Sequence, residues 1–434
     1  MTPQSTFMIL AEIHEGQVEV LRSLLATMNQ VIGHADPDNP LLPFAHFERL
    51  HVARFVILEA KTADEIRYHG RQPYPWQPAL VFLGDCDGEG LTFLDELAQH
   101  AGEGLTKIFS HCEEFDPQRD DLLAWMVKRN ISPQANYVNW IGRSVKQIRE
   151  EQALQRSLAD YLPTAIQEVG RNNTLDLRQK LLTHVELEID AGRLRLTPPE
   201  PTPKGWWISN LVHKIGLPLI LLLIAPILLL LAPFLIWRLR MLERADPEIV
   251  IRPGRSHIAS LSVREDLDVT NQFNVLGDVK PGLFRLMLLK FLLLTLDYAS
   301  RHIYNHGYLT RVKTIHFARW VLIDNNRRLY FASNYDGSLE GYMDDFINKV
   351  AWGLNLVFSN GVGYPKTSWL IKQGAEREQQ FKYTLRRHQL PSEVWYKAYP
   401  GLSAFDLARN SRIRQGVEVR QSSDQEIRAW LSLI

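Results

Sequence analysis

The pattern of apolar and polar positions divides the chain into two mixed halves around one uninterrupted apolar run. Residues 7–13 (FMILAEI) predict a strand and residues 18–30 an amphipathic helix. Residues 50–59 and 315–324 are aliphatic and aromatic with no Gly or Pro, which predicts two buried strands. In the second half, 257–263 reads as the opening strand and 282–304 as a long apolar helix. The polar stretch 324–328 predicts a short hairpin, and further helices are expected over 120–130 and 376–389. Between the halves, residues 215–237 contain no charged side chain. Roughly 20 apolar residues cross a bilayer core, so this run predicts a membrane segment. Trp206, Trp207 and Trp237 flank it in the manner of interfacial aromatics.

Pro218, Pro226 and Pro233 lie inside the run, with Pro226 near its midpoint. Each removes a backbone donor and crowds the preceding turn, which argues against one straight helix. Both flanks are basic: Lys204 and Lys214 before, Arg238, Arg240 and Arg244 after. Basic flanks stay cytoplasmic, so a re-entrant hairpin is favoured over a single span, with both halves on the cytoplasmic side of the cell inner membrane. The lipid bilayer is thus the first expected partner.

The halves repeat each other. His51, Ala53, Arg54 and Phe55 match His316, Ala318, Arg319 and Trp320. Asp87-Gly88 then matches Asp336-Gly337, and Tyr137, Gly142 and Ser144 match Tyr396, Gly401 and Ser403. The three blocks keep their order, the first copy inserting an extra segment over 62–77. A duplicated unit of order β-α-β-β-α is ferredoxin-like. The predicted class is α+β, two tandem ferredoxin-like repeats separated by a hydrophobic membrane segment. The expected divisions are 1–165 (first repeat), 166–214 (helical and Pro-rich linker), 215–237 (membrane segment), 238–255 (basic linker) and 256–434 (second repeat).

This element order resembles the dimeric α/β-barrel superfamily, in which two ferredoxin-like units pair their sheets. The resemblance implies that the two copies form the pair within one chain, which requires them to lie on one side of the membrane. Gly84-Asp85-Cys86-Asp87-Gly88 also resembles the Gly-x-x-Asp-Gly pattern of the dye-decolourising peroxidases, members of that superfamily. Their Asp assists peroxide cleavage above a haem, so the resemblance implies haem as cofactor and Asp87 as a catalytic group. The second copy keeps Asp336-Gly337 but not the first Gly. The proximal His of those enzymes has no clear counterpart: His184 follows the first motif and His388 the second. The other reading of Asp-Gly is a turn in which Asp caps a helix and Gly supplies a left-handed backbone angle.

His51 and His316 stand on a strand in both copies. Strict alternation places His316, Ala318, Trp320 and Leu322 on one face and Phe317, Arg319, Val321 and Ile323 on the other. An Arg in so apolar a strand calls for a carboxylate, expected from its own repeat. The candidate site is therefore His316, Arg319 and Asp336 with His51, Arg54 and Asp87, either a polar pocket with a His base and an Arg anion clamp or a buried structural network repeated by duplication. His302 and His306 share one helix face, but no third ligand accompanies them and no metal is expected.

With 49 basic and 49 acidic residues, the chain lacks the positive excess of a nucleic-acid binder. Two cysteines, Cys86 and Cys112, exclude a disulfide framework or a Cys-rich metal centre. The first residues do not read as a signal peptide. Two functions follow: a membrane-anchored scaffold or binding protein, expected to form a homo-oligomer, or a membrane-associated oxidoreductase acting on a lipid or lipophilic substrate. The sequence leaves open whether the chain is an enzyme.

Overall fold

The computed structural model describes residues 1–170, 172–419 and 423–434. The chain is mixed α+β with two four-stranded antiparallel sheets. Strands β1 (Gln4–Glu12), β4 (Leu50–Leu58), β5 (Ala79–Asp87), β7 (Thr270–Asp278), β8 (Ile315–Ile323) and β9 (Arg328–Asp336) supply three strands to each sheet, joined by the short β6 (Ala135–Val138) and β12 (Val394–Lys397). The pairs β2 (Asn29–Val31) with β3 (His34–Ala35) and β10 (Thr367–Ser368) with β11 (Lys372–Gln373) form small hairpins. The helices are α1 (Val18–Ala26), α2 (Gly90–Phe109), α3 (Leu122–Arg129), α4 (Val145–Val169), α5 (Thr174–Asp190), α6 (Lys204–Ala245), α7 (Arg255–Ser262), α8 (Leu283–His302), α9 (Leu339–Phe358), α10 (Glu378–His388), α11 (Ala404–Glu418) and α12 (Asp424–Leu431).

The first sheet has the order β1-β5-β4-β12 and the second β7-β9-β8-β6. The edge strands are exchanged. β12, late in the chain, pairs with β4, and β6, from the first half, pairs with β8. The registers correspond: Trp395 lies opposite Arg54, and Asn136 opposite Arg319. The sheets meet through one apolar layer, with Met8, Val56, Val81 and Leu83 from the first against Leu276, Val321, Tyr330 and Ala332 from the second. Their outer faces are covered by helices, α1 and α2 on one side and α8 and α9 on the other. α4, α5, α11 and α12 form a separate helical cluster around Leu154, Leu158, Leu181 and Ile413.

The structure departs from three expectations. Residues 257–263 fall in and just after helix α7, and the opening strand of the second half is β7. Its Asn271, Gln272 and Asn274 are buried, a polar content that weakens the apolar pattern of a strand. The division at 165 cuts through α4, and the 166–214 segment contains α5, which packs in the helical cluster. Finally, 215–237 is no hairpin: α6 runs as one 42-residue helix with all three prolines inside it. The prolines are spaced about two turns apart, so they fall on one face, and all three are exposed. Each lost hydrogen bond loosens that outward side alone, which bends a helix instead of breaking it.

Both ends of α6 are tied to the same folded body. Near its start, His213 Nδ1 lies 2.9 Å from His302 Nε2, and the Tyr298 hydroxyl donates to the Lys214 carbonyl at 3.1 Å. At its end, Glu243 accepts from the Leu370 and Trp369 amides at 2.7 and 3.0 Å. Asp246, just beyond, pairs with Lys280 at 2.7 Å and Arg285 at 2.6 Å. Between these ties Leu217, Leu221, Ala225, Ala232 and Leu235 are half-buried, while Leu222, Leu223, Leu229 and Leu230 face outward.

Close packing over α2 gives a first prediction. A Cβ on Gly104 would lie 1.8 Å from the Leu41 carbonyl oxygen, a main-chain atom that cannot swing away. Gly104→Ala is expected to lower the unfolding free energy by about 2–3 kcal/mol or more in a urea titration, against the usual gain of Ala over Gly within a helix.

Candidate functional site

In both sheets the histidine sits at a β-bulge. The register slips between Leu50 and Val52 in β4 and between Ile315 and Phe317 in β8, leaving His51 and His316 as the extra residues. A bulge re-aims its side chain, so the strict alternation expected for His316 fails at that residue. Ile315 joins Ala318, Trp320 and Leu322 in the outer core, and His316 turns toward the strand end.

There each histidine meets its aspartate. His51 Nε2 is 2.9 Å from Asp87 Oδ1, and His316 Nε2 is 2.6 Å from Asp336 Oδ1. The second carboxylate oxygen caps a helix in both cases, accepting from Val145 N of α4 at 2.8 Å and from Ala404 N of α11 at 2.6 Å. A carboxylate is favoured there by the exposed amides and the helix dipole. The following Gly88 and Gly337 have φ of 78° and 83°, a turn that glycine adopts without strain. The Asp-Gly pair thus links a bulged strand, a left-handed turn and a helix N-terminus.

The two sites then diverge. His51 Nδ1 contacts the Tyr399 hydroxyl at 3.1 Å. On the other side Thr270 donates to Asp336 at 2.7 Å, and Lys397 reaches the Thr270 hydroxyl and the Leu402 carbonyl. Burial by itself would raise the Asp336 carboxyl, but His316, the Ala404 amide and Thr270 hold it below the ordinary range. Burial pushes Lys397 down to about 8, against the pull of Asp268, Asp336 and Asp406. The sequence reading missed Lys397, although a lysine inside the apolar run VWYKAY was a visible signal.

That shift fixes a pH dependence. A lysine whose pKa is lower in the folded than in the unfolded chain costs stability below the folded value. The cost disappears as pH rises through the unfolded value of 10.5. Stability from this group is expected to rise by about 3 kcal/mol between roughly pH 8 and 10.5. Lys397→Met should remove that part of the rise, which urea titrations of both proteins across this range will measure.

Arg54 and Arg319 do not pair within their own repeats, contrary to expectation. Each reaches across into the opposite sheet. Arg319 donates to Phe7 O at 2.9 Å, Gly84 O at 3.1 Å and Asp85 Oδ2 at 2.6 Å. Arg54 donates to Phe273 O at 3.3 Å, Ser333 O at 3.1 Å and Asn274 Oδ1 at 2.9 Å, and lies 4.8 Å over the Trp395 ring. Asn334 stands two residues before Asp336 as Asp85 stands two before Asp87, so the Arg54 side lacks a matching carboxylate. Burial therefore lowers Arg54 to about 10, and the nearby Arg319 charge adds to the effect.

His51 and His316 line one small cavity together with Arg143 and Tyr399. Its volume is about 20 Å³, room for about one water molecule. A haem does not fit in that cavity, and both Asp87 oxygens are engaged, one by His51 and the other by the start of α4. Gly84 has a structural reason: the Phe7 ring would lie 2.6 Å from its Cβ. His184 contacts Ser157 in the helical cluster and His388 contacts Glu65, so neither faces Asp87. His302 pairs with His213, while His306 lies against Trp140. Burial pushes both thiols up, Cys112 to about 12, so neither is a reactive nucleophile.

Set beside known protein families, curated proteins and solved structures, the chain matches none of them.

Proposed function

We propose that this chain is a membrane-anchored binding or scaffold protein, a duplicated ferredoxin-like unit working as a homo-oligomer at the cytoplasmic face of the inner membrane. The observation that carries the reading is the double attachment of α6. In this reading the helix, fastened at both ends to one folded body, lies along the membrane surface with Leu222, Leu223, Leu229 and Leu230 toward the lipid. The basic flanks then meet anionic headgroups on the same side. The helix keeps Lys204 and Arg244 on one face of the bilayer without the hairpin, and so leaves the halves free to share their sheets.

The matching registers, bulges and His–Asp caps support duplication of one unit whose fourth strand has been exchanged between copies. Against the oxidoreductase alternative stands the lack of substrate room beside His51 and His316 among the described residues. In this reading the two His–Asp pairs hold strand to helix.

The test joins two measurements on the full chain. The protein should float with vesicles containing anionic lipid, and the His51→Asn/His316→Asn double variant should float equally while melting earlier. A Soret band in the purified protein that this double variant loses would overturn the reading in favour of a haem enzyme.

A further inference from the structure

Helices α2 and α9 are built alike. Each is kinked, at Ala101 (φ −131°) and at Val350 (φ −147°), and each has a glycine three residues later. Their surroundings differ. Over α2, the Leu41 main chain fills the space beside Gly104, and Phe55 stacks on Phe82 at 4.3 Å. Over α9, Gly353 faces open space, with no atom within 4 Å of where its Cβ would be. In place of Phe55 the strand carries Trp320.

The space left open is a cavity of about 210 Å³ between α8, α9 and the outer face of β8. Its walls include Leu292, Leu296, Val350 and Val357, and among the described residues no charged side chain lines it. Two of the lining residues carry a buried polar atom without a partner, Trp320 Nε1 and Thr310 Oγ1. An unpaired buried donor is costly, and an indole N–H can only donate. At the rim Trp352 is half exposed, and α8 presents Leu283, Met287, Phe291 and Leu294 outward. α8 is also the helix to which α6 is tied through Tyr298 and His302.

We propose that this pocket binds the carbonyl-bearing head of a neutral lipophilic molecule taken from the bilayer, a substituted quinone or similar ring ketone. An acceptor oxygen on the ligand would suit the unpartnered indole N–H and hydroxyl of these lining residues. The absence of a cation in the lining disfavours a carboxylate, which would be buried unpaired. An apolar cavity of about 150 Å³ holds benzene, so this one holds a single substituted ring, with any longer tail passing out by Trp352. The proposal rests on the membrane reading above for the source of its ligand, though not for the pocket itself.

The experiment titrates the full chain, in detergent micelles, with a decyl-substituted benzoquinone. Binding is read by saturable quenching of tryptophan fluorescence, with decane and decanoate as competitors. Saturable binding is expected, with both competitors weaker by about tenfold or more. Gly353→Leu projects into open space from a helix, so it should melt no lower than the native chain. It should nevertheless weaken binding by about tenfold or more, because it fills the chamber. Trp320→Phe should weaken binding by about two- to tenfold, the worth of one neutral hydrogen bond. Unchanged binding in Gly353→Leu, or decane competing as well as the quinone, would overturn the proposal. Vesicle flotation of the same preparation separates the two readings. Binding without flotation removes the membrane source and supports the pocket, whereas flotation without binding overturns the pocket alone.

Discussion

Arg319→Ala is expected to cost about 3–5 kcal/mol of unfolding free energy, because it leaves Asp85 as a buried charge without its partner. The pair is 2.6 Å apart and both side chains are 2% exposed, so water cannot replace the guanidinium. Arg54→Ala should cost less, about 1–3 kcal/mol, since it strands only neutral acceptors and relieves a like charge beside Arg319. Asp85→Leu combined with Arg319→Met should recover much of the loss, as apolar replacements of a whole buried pair commonly do. Urea titrations of the four proteins decide the matter. Equal costs for the two arginine variants, or no recovery in the double variant, would refute the assignment of the charge pair.

The second large effect concerns α6. Leu223 and Leu230 are 78% and 81% exposed and lie two turns apart, on the face proposed to meet lipid. Burying a leucine is worth about 1.5–3 kcal/mol, so Leu223→Lys with Leu230→Lys should weaken vesicle binding by about a hundredfold or more. The folded body should be unaffected, because neither side chain packs on it. Single cysteines placed in 204–210 and 244–250 of a Cys-free variant should both resist an impermeant thiol reagent in intact cells. Labelling of one alone would mean that α6 crosses the bilayer, and flotation unchanged by the two lysines would mean that another surface holds the membrane.

Local chemistry was legible in the sequence where the pattern itself carried the information. His-x-Ala-Arg-aromatic marked β4 and β8, and Asp-Gly marked the turn before a helix, because β-branched runs and left-handed turns depend on adjacent residues. The His–Asp contacts were only implicit there, since they follow from a bulge that no single strand announces. What could not be read was set by distant partners. Asn274 of β7 is buried because it takes Arg54 from the other sheet, a partner that the sequence of β7 does not reveal. The partner of Arg319 lies in the other half, so a search within one repeat could not find it. The prolines of α6 forecast a break, yet their spacing along one face leaves the opposite side continuous.

The exchange of edge strands has a consequence for the order in which the chain is made. When β4 leaves the ribosome, its edge partner β12 is still untranslated, and β6 must likewise wait for β8. At roughly 5–20 residues per second, the edge of β4 stays open for a time on the order of tens of seconds. An open apolar edge of this kind recruits foreign strands. α6 emerges within that interval, ahead of both missing partners. On the proposed reading the nascent chain is therefore held at the bilayer before either sheet can close, which keeps each open edge near the one later segment able to cover it.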